Sequence, residues 1–287
     1  MDIKPRRDIL MTKCWFDCKT VIVTGASSGI GRLLSEKLIK DHGCNVIGIA
    51  RTESKLAALK EELGRYSHKF CYYAFDVSDK NKWAELADTF EKENRQIDIL
   101  INNAGILPKF DRFENYSLEE IDSAMEINFF SSVYSMKALM PNVLKSESAA
   151  IINVASSAAL CSLAGTSVYS ASKAALKSFT DAVREETRGR CYIGLICPGF
   201  TKTDIFRSQK KSSSKAQKAM DMVSTSCDRM VRLIINSMWK KKKDSVFGID
   251  AHLMDTGCRL IGPYCSGISS KVMKISGLEI FRDIFAE

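Results

Sequence analysis

The chain runs to 287 residues, of which 45% are hydrophobic and 26% charged, with a formal net charge of +8. That length allows one sizeable core, and the ordinary balance of apolar and charged residues excludes a disordered or fibrous chain. Only three histidines are present, and the ten cysteines are scattered, with Cys14 and Cys18 as a lone CxxxC. No metal is therefore expected, and the thiols read as small apolar residues and surface groups of a reducing, cytoplasmic compartment.

Lys4, Arg6 and Arg7 precede only a short apolar stretch, so no signal peptide is expected. Thr20 to Thr24 then reads as a buried strand, and Ile30 to Lys40 as a helix through Ile30, Leu33, Leu34 and Leu38. A strand at Asn45 to Ala50 leads to a helix at Ser54 to Leu63. A third strand at Lys69 to Phe75 leads to a helix at Lys80 to Asn94, and Ile97 to Ile101 is a fourth strand. A long helical region covers Leu118 to Leu144. Ala150 to Ala155 is a fifth strand, Ser167 to Thr187 a helix, and Cys191 to Cys197 a sixth strand. Strands that alternate with helices predict an α/β doubly wound parallel sheet with helices on both faces. Continuous rather than alternating apolar strands agree with burial on both sides.

Neither an internal repeat nor a linker divides the chain. Residues 1–250 read as one domain, and 251–287 as an extension packed on or near it. Phe200 to Ala219, rich in Ser and Lys, reads as a mobile surface loop. The basic runs Lys240–Lys243 and Lys210, Lys211, Lys215 and Lys218 lack interleaved aromatics. They read as solvated faces, with no nucleic-acid partner. The most apolar stretch, Ala149 to Gly165, is too short and polar to span a bilayer, so any membrane association is peripheral.

Tyr169 and Lys173 stand four apart in a predicted helix and share one face. Ser156 lies where the preceding strand ends, with Ser157 as its rival. Phenol, ammonium and hydroxyl together can deliver a proton to a carbonyl oxygen. A neighbouring ammonium would favour the phenolate, lowering a tyrosine pKa by about 1–3 units.

Between the first strand and first helix runs Thr24-Gly-Ala-Ser-Ser-Gly-Ile-Gly31, spaced GxxxGxG. Its glycines let backbone N–H groups of Gly25, Ser27, Ser28, Gly29, Ile30 and Gly31 approach a pyrophosphate at a helix N-terminus. The second strand ends at Ala50, and Arg51 and Thr52 follow where an acid would select NAD(H). A guanidinium suits a 2′-phosphate instead, which points to NADP(H) over NAD(H).

These features, in this order and spacing, resemble the short-chain dehydrogenase/reductase family. The resemblance covers about residues 18 to 250 and includes Asn102-Asn-Ala-Gly105, Asn128, Ser156, Tyr169, Lys173 and Pro198-Gly199 with Thr203. It implies a single-domain Rossmann fold with strand order 3-2-1-4-5-6-7 and an oligomer, a homodimer or homotetramer packed through the helices at 118–144 and 167–187. It further implies that Tyr169 exchanges the proton and Lys173 binds the nicotinamide ribose. Ser156 would hold the substrate oxygen, and Asn128 a water of a proton relay. Asp76 and Val77 would contact adenine, Asn102, Ala104 and Gly105 would line the cofactor, and Thr203 would face the carboxamide.

The implied activity is hydride transfer between NADP(H) and a ketone or secondary alcohol, with an apolar, steroid- or lipid-like substrate. A catalytically silent NADP(H)-binding sensor or scaffold is the alternative from another class; double-bond reduction and epimerisation are related chemistries. Val272, Ile275, Leu278, Phe281 and Phe285 form an apolar stripe that could close a pocket, meet a subunit or rest on lipid.

Overall fold

The computed structural model describes residues 14–202, 224–262, 264–276 and 282–285. Thr203 and the basic run at 210–218 lie outside the described residues, as does most of the loop expected at 200–219.

Seven strands form one parallel sheet: β1 Thr20–Thr24, β2 Asn45–Ala50, β3 Phe70–Ala74, β4 Ile99–Asn102, β5 Ala150–Val154, β6 Tyr192–Pro198 and β7 Asp244–Phe247. Their order is β3-β2-β1-β4-β5-β6-β7. β1 is central, with Val21 paired to Val46 of β2 on one side and to Ile99 of β4 on the other. The direction of strand order reverses here, which opens a crevice at the carboxyl ends of β1 and β4.

The unbroken apolar strands are explained by two cores. Val21 and Val23 join the core on one face with Leu34, Leu38, Met230 and Ile234. Ile22, between them, joins the opposite core with Trp83, Phe90 and Leu139. Ile99 and Ile101 against Leu100 repeat this division in β4, and Ile152 against Ile151 repeats it in β5. A side chain on alternate faces every residue needs an apolar partner at every position.

The helices on those faces are α1 Gly29–His42, α2 Glu53–Glu62, α3 Lys80–Lys92, α4 Leu118–Met125, α5 Ser131–Val143, α6 Ser167–Glu186 and α7 Cys227–Trp239. Local chemistry sets their ends. Asp79 accepts from Asn81 N and Lys82 N at the start of α3, and Ser117 and Glu120 form a reciprocal capping box at the start of α4. Gly43, at φ 65°, closes α1 in the left-handed conformation.

The long helix expected at 118–144 is not uniform. Glu126–Phe130 forms a π-helical turn between α4 and α5, and Asn128 sits in it, fully buried. Such turns insert a residue and redirect a side chain, often at functional sites.

The chain continues into α8 Ile249–Ile261, α9 Tyr264–Ser276 and α10 Arg282–Phe285. The apolar stripe expected here is divided, with Phe285 packed beside Met273 and Ile284 while Val272 and Ile275 face outward. Val272 and Ile275 are 62% and 84% exposed, whereas Met273 is buried with Ile284 against Phe110, Leu163 and Ala164. Cys265 and Met273, two turns apart, define the inner face of α9. Leu278 and Phe281 lie outside the described residues. Among the described residues, no helix is long and apolar enough to cross a membrane.

Candidate active site

A cleft of about 570 Å³ opens at the carboxyl ends of the strands. One end is formed by the glycine turn, where Gly25, Ser28, Gly29 and Ile30 line the wall. Gly25 and Gly29 adopt φ of 68° and 51°, a region open to glycine at little cost. Gly31 is required for a different reason. A Cβ there would collide with the carbonyl of Gly25 and the side chain of Asn103. The turn also feeds the N-terminus of α1, whose first turn has no acidic residue, so its electrostatics suit an anion.

The turn is fixed from β4. Thr24 Oγ1 accepts from Asn103 N and from Ala104 N, each at 2.9 Å, and Asn103 Nδ2 donates to Thr24 O at 2.9 Å. Asn103 itself lines the cleft with Ala104 and Gly105. The sequence reading passed over Thr24 and Asn103 as site residues, although both lie inside motifs it used.

Asn102 lies behind them in a buried polar chain. Ser135 Oγ donates to Asn102 Oδ1 at 2.7 Å, Asn102 Nδ2 donates to Asn153 Oδ1 at 2.9 Å, and Asn153 Nδ2 donates to Thr180 Oγ1 at 2.9 Å. This chain ties α5, β4, β5 and α6 together; Asn102 therefore positions the strand end from inside.

Arg51 lines the cleft beyond β2, at its most exposed edge, with Asp76 Oδ2 at 3.6 Å. Burial pushes the Asp76 carboxyl up, but donation from Ser78 N and Oγ and the Arg51 guanidinium outweigh it, and the group sits below its ordinary value. Asp76 is thus ionised at neutral pH and orients Arg51. Thr52 caps α2 without a side-chain hydrogen bond. Val77 is buried, and its carbonyl accepts from Trp83 Nε1. Ser27, Gly31, Thr52 and Asn102 adjoin lining residues in the chain, Asp76 with Val77 stands beside Arg51, and Asn128 bonds to Ile106 of the wall.

At the other end, Ser156, Tyr169 and Lys173 line one wall together, joined by Pro198 and Gly199. Ser156 caps a 3₁₀ turn, Ser157–Ala159, and accepts from Ala158 N at 3.2 Å. Ser156 lowers the Tyr169 pKa, acting against burial. Ser157 is buried. Both serines line the cleft. Lys173 is buried, and its Nζ donates to Val154 O at 3.1 Å.

The electrostatics differ from the sequence expectation of an acidified phenol. Burial pushes the Tyr169 hydroxyl above its ordinary value, and Ser156 offsets that only in part. Burial lowers Lys173 to about 8. Desolvation disfavours the ionised form of each group, and Lys173 directs its hydrogen bond at a backbone carbonyl. The wall therefore holds a protonated phenol beside a readily neutralised amine.

Asn128 reaches this wall from the π turn. Its Nδ2 donates to Ile106 O at 2.9 Å and to Ser172 Oγ at 3.0 Å, and its Oδ1 accepts from Ile106 N at 2.8 Å. A Cβ on Gly105 would lie 3.1 Å from Lys173 Nζ and 3.2 Å from Asn128 Oδ1. The bare backbone of Gly105 separates these two groups.

Asp250, on α8, is a further residue without a sequence signal. Its Oδ2 accepts from Phe200 N at 2.7 Å, and its Oδ1 is buried without a hydrogen-bond partner among the described residues. Burial raises its pKa. It fastens the Pro198–Phe200 segment, and a Cβ on Gly199 would strike it.

The short chain dehydrogenase family model matches residues 19–214. Ketoacyl reductase HetN of Nostoc sp. is 37% identical over 183 residues, 63% of this chain and 63% of that protein. NADPH-dependent pterin aldehyde reductase of Arabidopsis thaliana is 30% identical over 71% of this chain and 83% of that protein. 3beta-hydroxysteroid dehydrogenase 2 of Eggerthella lenta is 31% identical over 69% of this chain and 76% of that protein. A short-chain dehydrogenase from Streptomyces avermitilis shares the fold at a TM-score of 0.73, with 24% identity, covering 91% of this chain and 97% of that one. A match across most of the sheet, carried by these motifs, identifies the chain as a member of the short-chain dehydrogenase/reductase family of oxidoreductases.

Proposed function

We propose that this protein is an NADP(H)-dependent oxidoreductase acting between a ketone and a secondary alcohol, with an apolar substrate of steroid or lipid type. The observation that carries this reading is the meeting of Tyr169, Ser156 and Lys173 on one cleft wall whose far end bears the glycine turn and Arg51. The residues fit a dinucleotide: a side chain at Gly31 would fill the turn, and the anion-suited N-terminus of α1 faces the cleft. When bound, the nicotinamide would supply or accept the hydride, which no side chain can do.

Tyr169 Oη gives its proton to the carbonyl oxygen in reduction and takes it back in oxidation. Its raised pKa keeps it protonated at neutral pH, which suits the donor role. Ser156 Oγ holds the substrate oxygen beside Tyr169. Lys173 would bind the nicotinamide ribose and support Tyr169. Asn128 fixes the Gly105–Ile106 backbone against Lys173 and marks the start of the proton relay. Gly25, Ser28 and Ile30 would hold the pyrophosphate, Arg51 with Thr52 the 2′-phosphate, and Asp76 with Val77 the adenine. Leu107, Phe110, Leu163 and Phe200 supply an apolar substrate wall.

Relatives named as an NADPH-dependent aldehyde reductase and a 3beta-hydroxysteroid dehydrogenase support this reading. A neighbouring structure holds NADPH and another NAD, so the choice of cofactor rests on Arg51. A cytoplasmic homo-oligomer packed through α4, α5 and α6 completes the proposal. A silent sensor would have no need to keep Asn128, Ser156, Tyr169 and Lys173 together.

Replacing Tyr169 with Phe tests it. Turnover of NADPH on a ketone panel should fall by about 10²–10⁴ or more, while NADPH binding, followed by fluorescence titration, stays within a few-fold. Undiminished turnover would remove Tyr169 from the chemistry.

A further inference from the structure

Cys161, Cys258 and Cys265 are far apart in sequence and come from three different elements: the segment after the 3₁₀ turn that carries Ser156, helix α8 and the first turn of α9. The structure brings their sulfurs within 4.8 Å of one another. Cys161 and Cys265 are buried and their sulfurs lie 3.5 Å apart. Cys161 Sγ is 4.0 Å from Ser269 Oγ. A Cβ at Gly257 would lie 2.9 Å from Cys265 Sγ, so a glycine in α8 is what admits this sulfur between the helices.

We propose that Cys161, Cys258 and Cys265 form a binding site for a thiophilic metal ion of the Zn²⁺ type. Tetrahedral zinc holds thiolates at about 2.3 Å, which places the sulfurs roughly 3.8 Å from each other. With one pair at 3.5 Å and all three sulfurs within 4.8 Å, an ion between them needs only small side-chain shifts. The Ser269 hydroxyl or a water fills the fourth position.

Binding is a proton exchange: three thiols release three protons as one Zn²⁺ enters, leaving a centre of net charge −1. A bound cation deprotonates its thiols outright. Three converging sulfurs also exceed what one disulfide can use. A second group, Cys14, Asp17 and His42, lies close together, but there the Asp17 carboxylate already pairs with His42 Nδ1 and accepts from Cys14 N.

The site joins the cleft to the C-terminal helices. Cys161 follows Ser156 by one turn, and the same segment leads to Leu163, which lines the cleft and packs on Met273 and Ile284. Metal binding would staple α8 and α9 to the wall that carries Ser156.

The test uses the full-length chain, reduced and treated with chelator. Zn²⁺ is titrated against the chromophoric chelator 4-(2-pyridylazo)resorcinol, and thiols are mapped by iodoacetamide labelling and mass spectrometry. One Zn²⁺ per chain is expected. In wild-type protein labelled in urea near its unfolding midpoint, Zn²⁺ should shield Cys161, Cys258 and Cys265 together beyond their protection in the metal-free chain. Cys161→Ser, Cys258→Ser and Cys265→Ser should each weaken binding at least tenfold, and Cys14→Ser should leave it unchanged. Failure to retain Zn²⁺, retention that follows Cys14→Ser instead, or loss of two thiols to a disulfide would each overturn the assignment. The labelling pattern of the wild type decides the matter even if a serine variant folds poorly.

Discussion

Lys173 Nζ donates to the carbonyl oxygen of Val154, two residues before Ser156, at 3.1 Å. The amine thus links α6 to the carboxyl end of β5 from inside the protein. Burial depresses its pKa from 10.5 to about 8.

This sets a pH-dependent stability. Below about pH 8 the amine is protonated in both states, and the fold bears the full cost of the buried ammonium, about 3 kcal/mol. Between about pH 8 and 10.5 the folded protein carries a neutral amine while the unfolded chain remains charged, so the cost declines. Lys173→Met should therefore melt higher than wild type at pH 7, with a gap that narrows as pH rises above 8. Melting temperatures of both proteins at pH 7 and pH 9.5 check this. A gap that widens with pH would show that the sign is wrong.

Arg51 stands at the open edge of the cleft and is held by Asp76. A guanidinium that binds a 2′-phosphate contributes only to NADPH. Arg51→Ala should weaken NADPH by about 10–100-fold, the worth of one or two charge-assisted hydrogen bonds. NADH should change by no more than about threefold. Parallel titrations with the two cofactors compare the losses, and equal losses would remove Arg51 from cofactor selection.

Gly165 has φ of 80°, and a Cβ there would run into the side chain of Ile284. Gly165→Ala combines left-handed strain of roughly 1–2 kcal/mol with displacement of α10. Urea denaturation should show that loss, and hydrogen exchange should rise at residues 282–285. Unchanged protection there would mean that α10 does not depend on the contact.

The parts of this molecule that were legible in sequence are those whose causes are local. Each core strand shows as a short apolar run because it needs apolar partners on two faces, and the glycine turn shows because Gly25, Gly29 and Gly31 answer to backbone geometry. Tyr169 and Lys173 share a face through helical spacing alone. The rest depends on distant contacts. Asp250 reaches Phe200 from a helix 50 residues on. The three sulfurs converge only after α8 and α9 fold back on the segment after β5. The phase of α9 is set by the pocket around Met273, which spacing within the tail does not encode. The pKa of Tyr169 also escaped, because its burial depends on the assembled wall.

The π turn at Glu126–Phe130 has an evolutionary corollary. It accommodates one residue more than a regular helix spanning the same length, so removing a single residue from that turn would restore ideal local hydrogen bonding. The repair would also swing Asn128 by about 100° around the helix, breaking its bonds to Ile106 and Ser172. A one-residue deletion at this point should therefore be tolerated by the helix while costing the contacts that Asn128 makes across to α6 and the β4 loop.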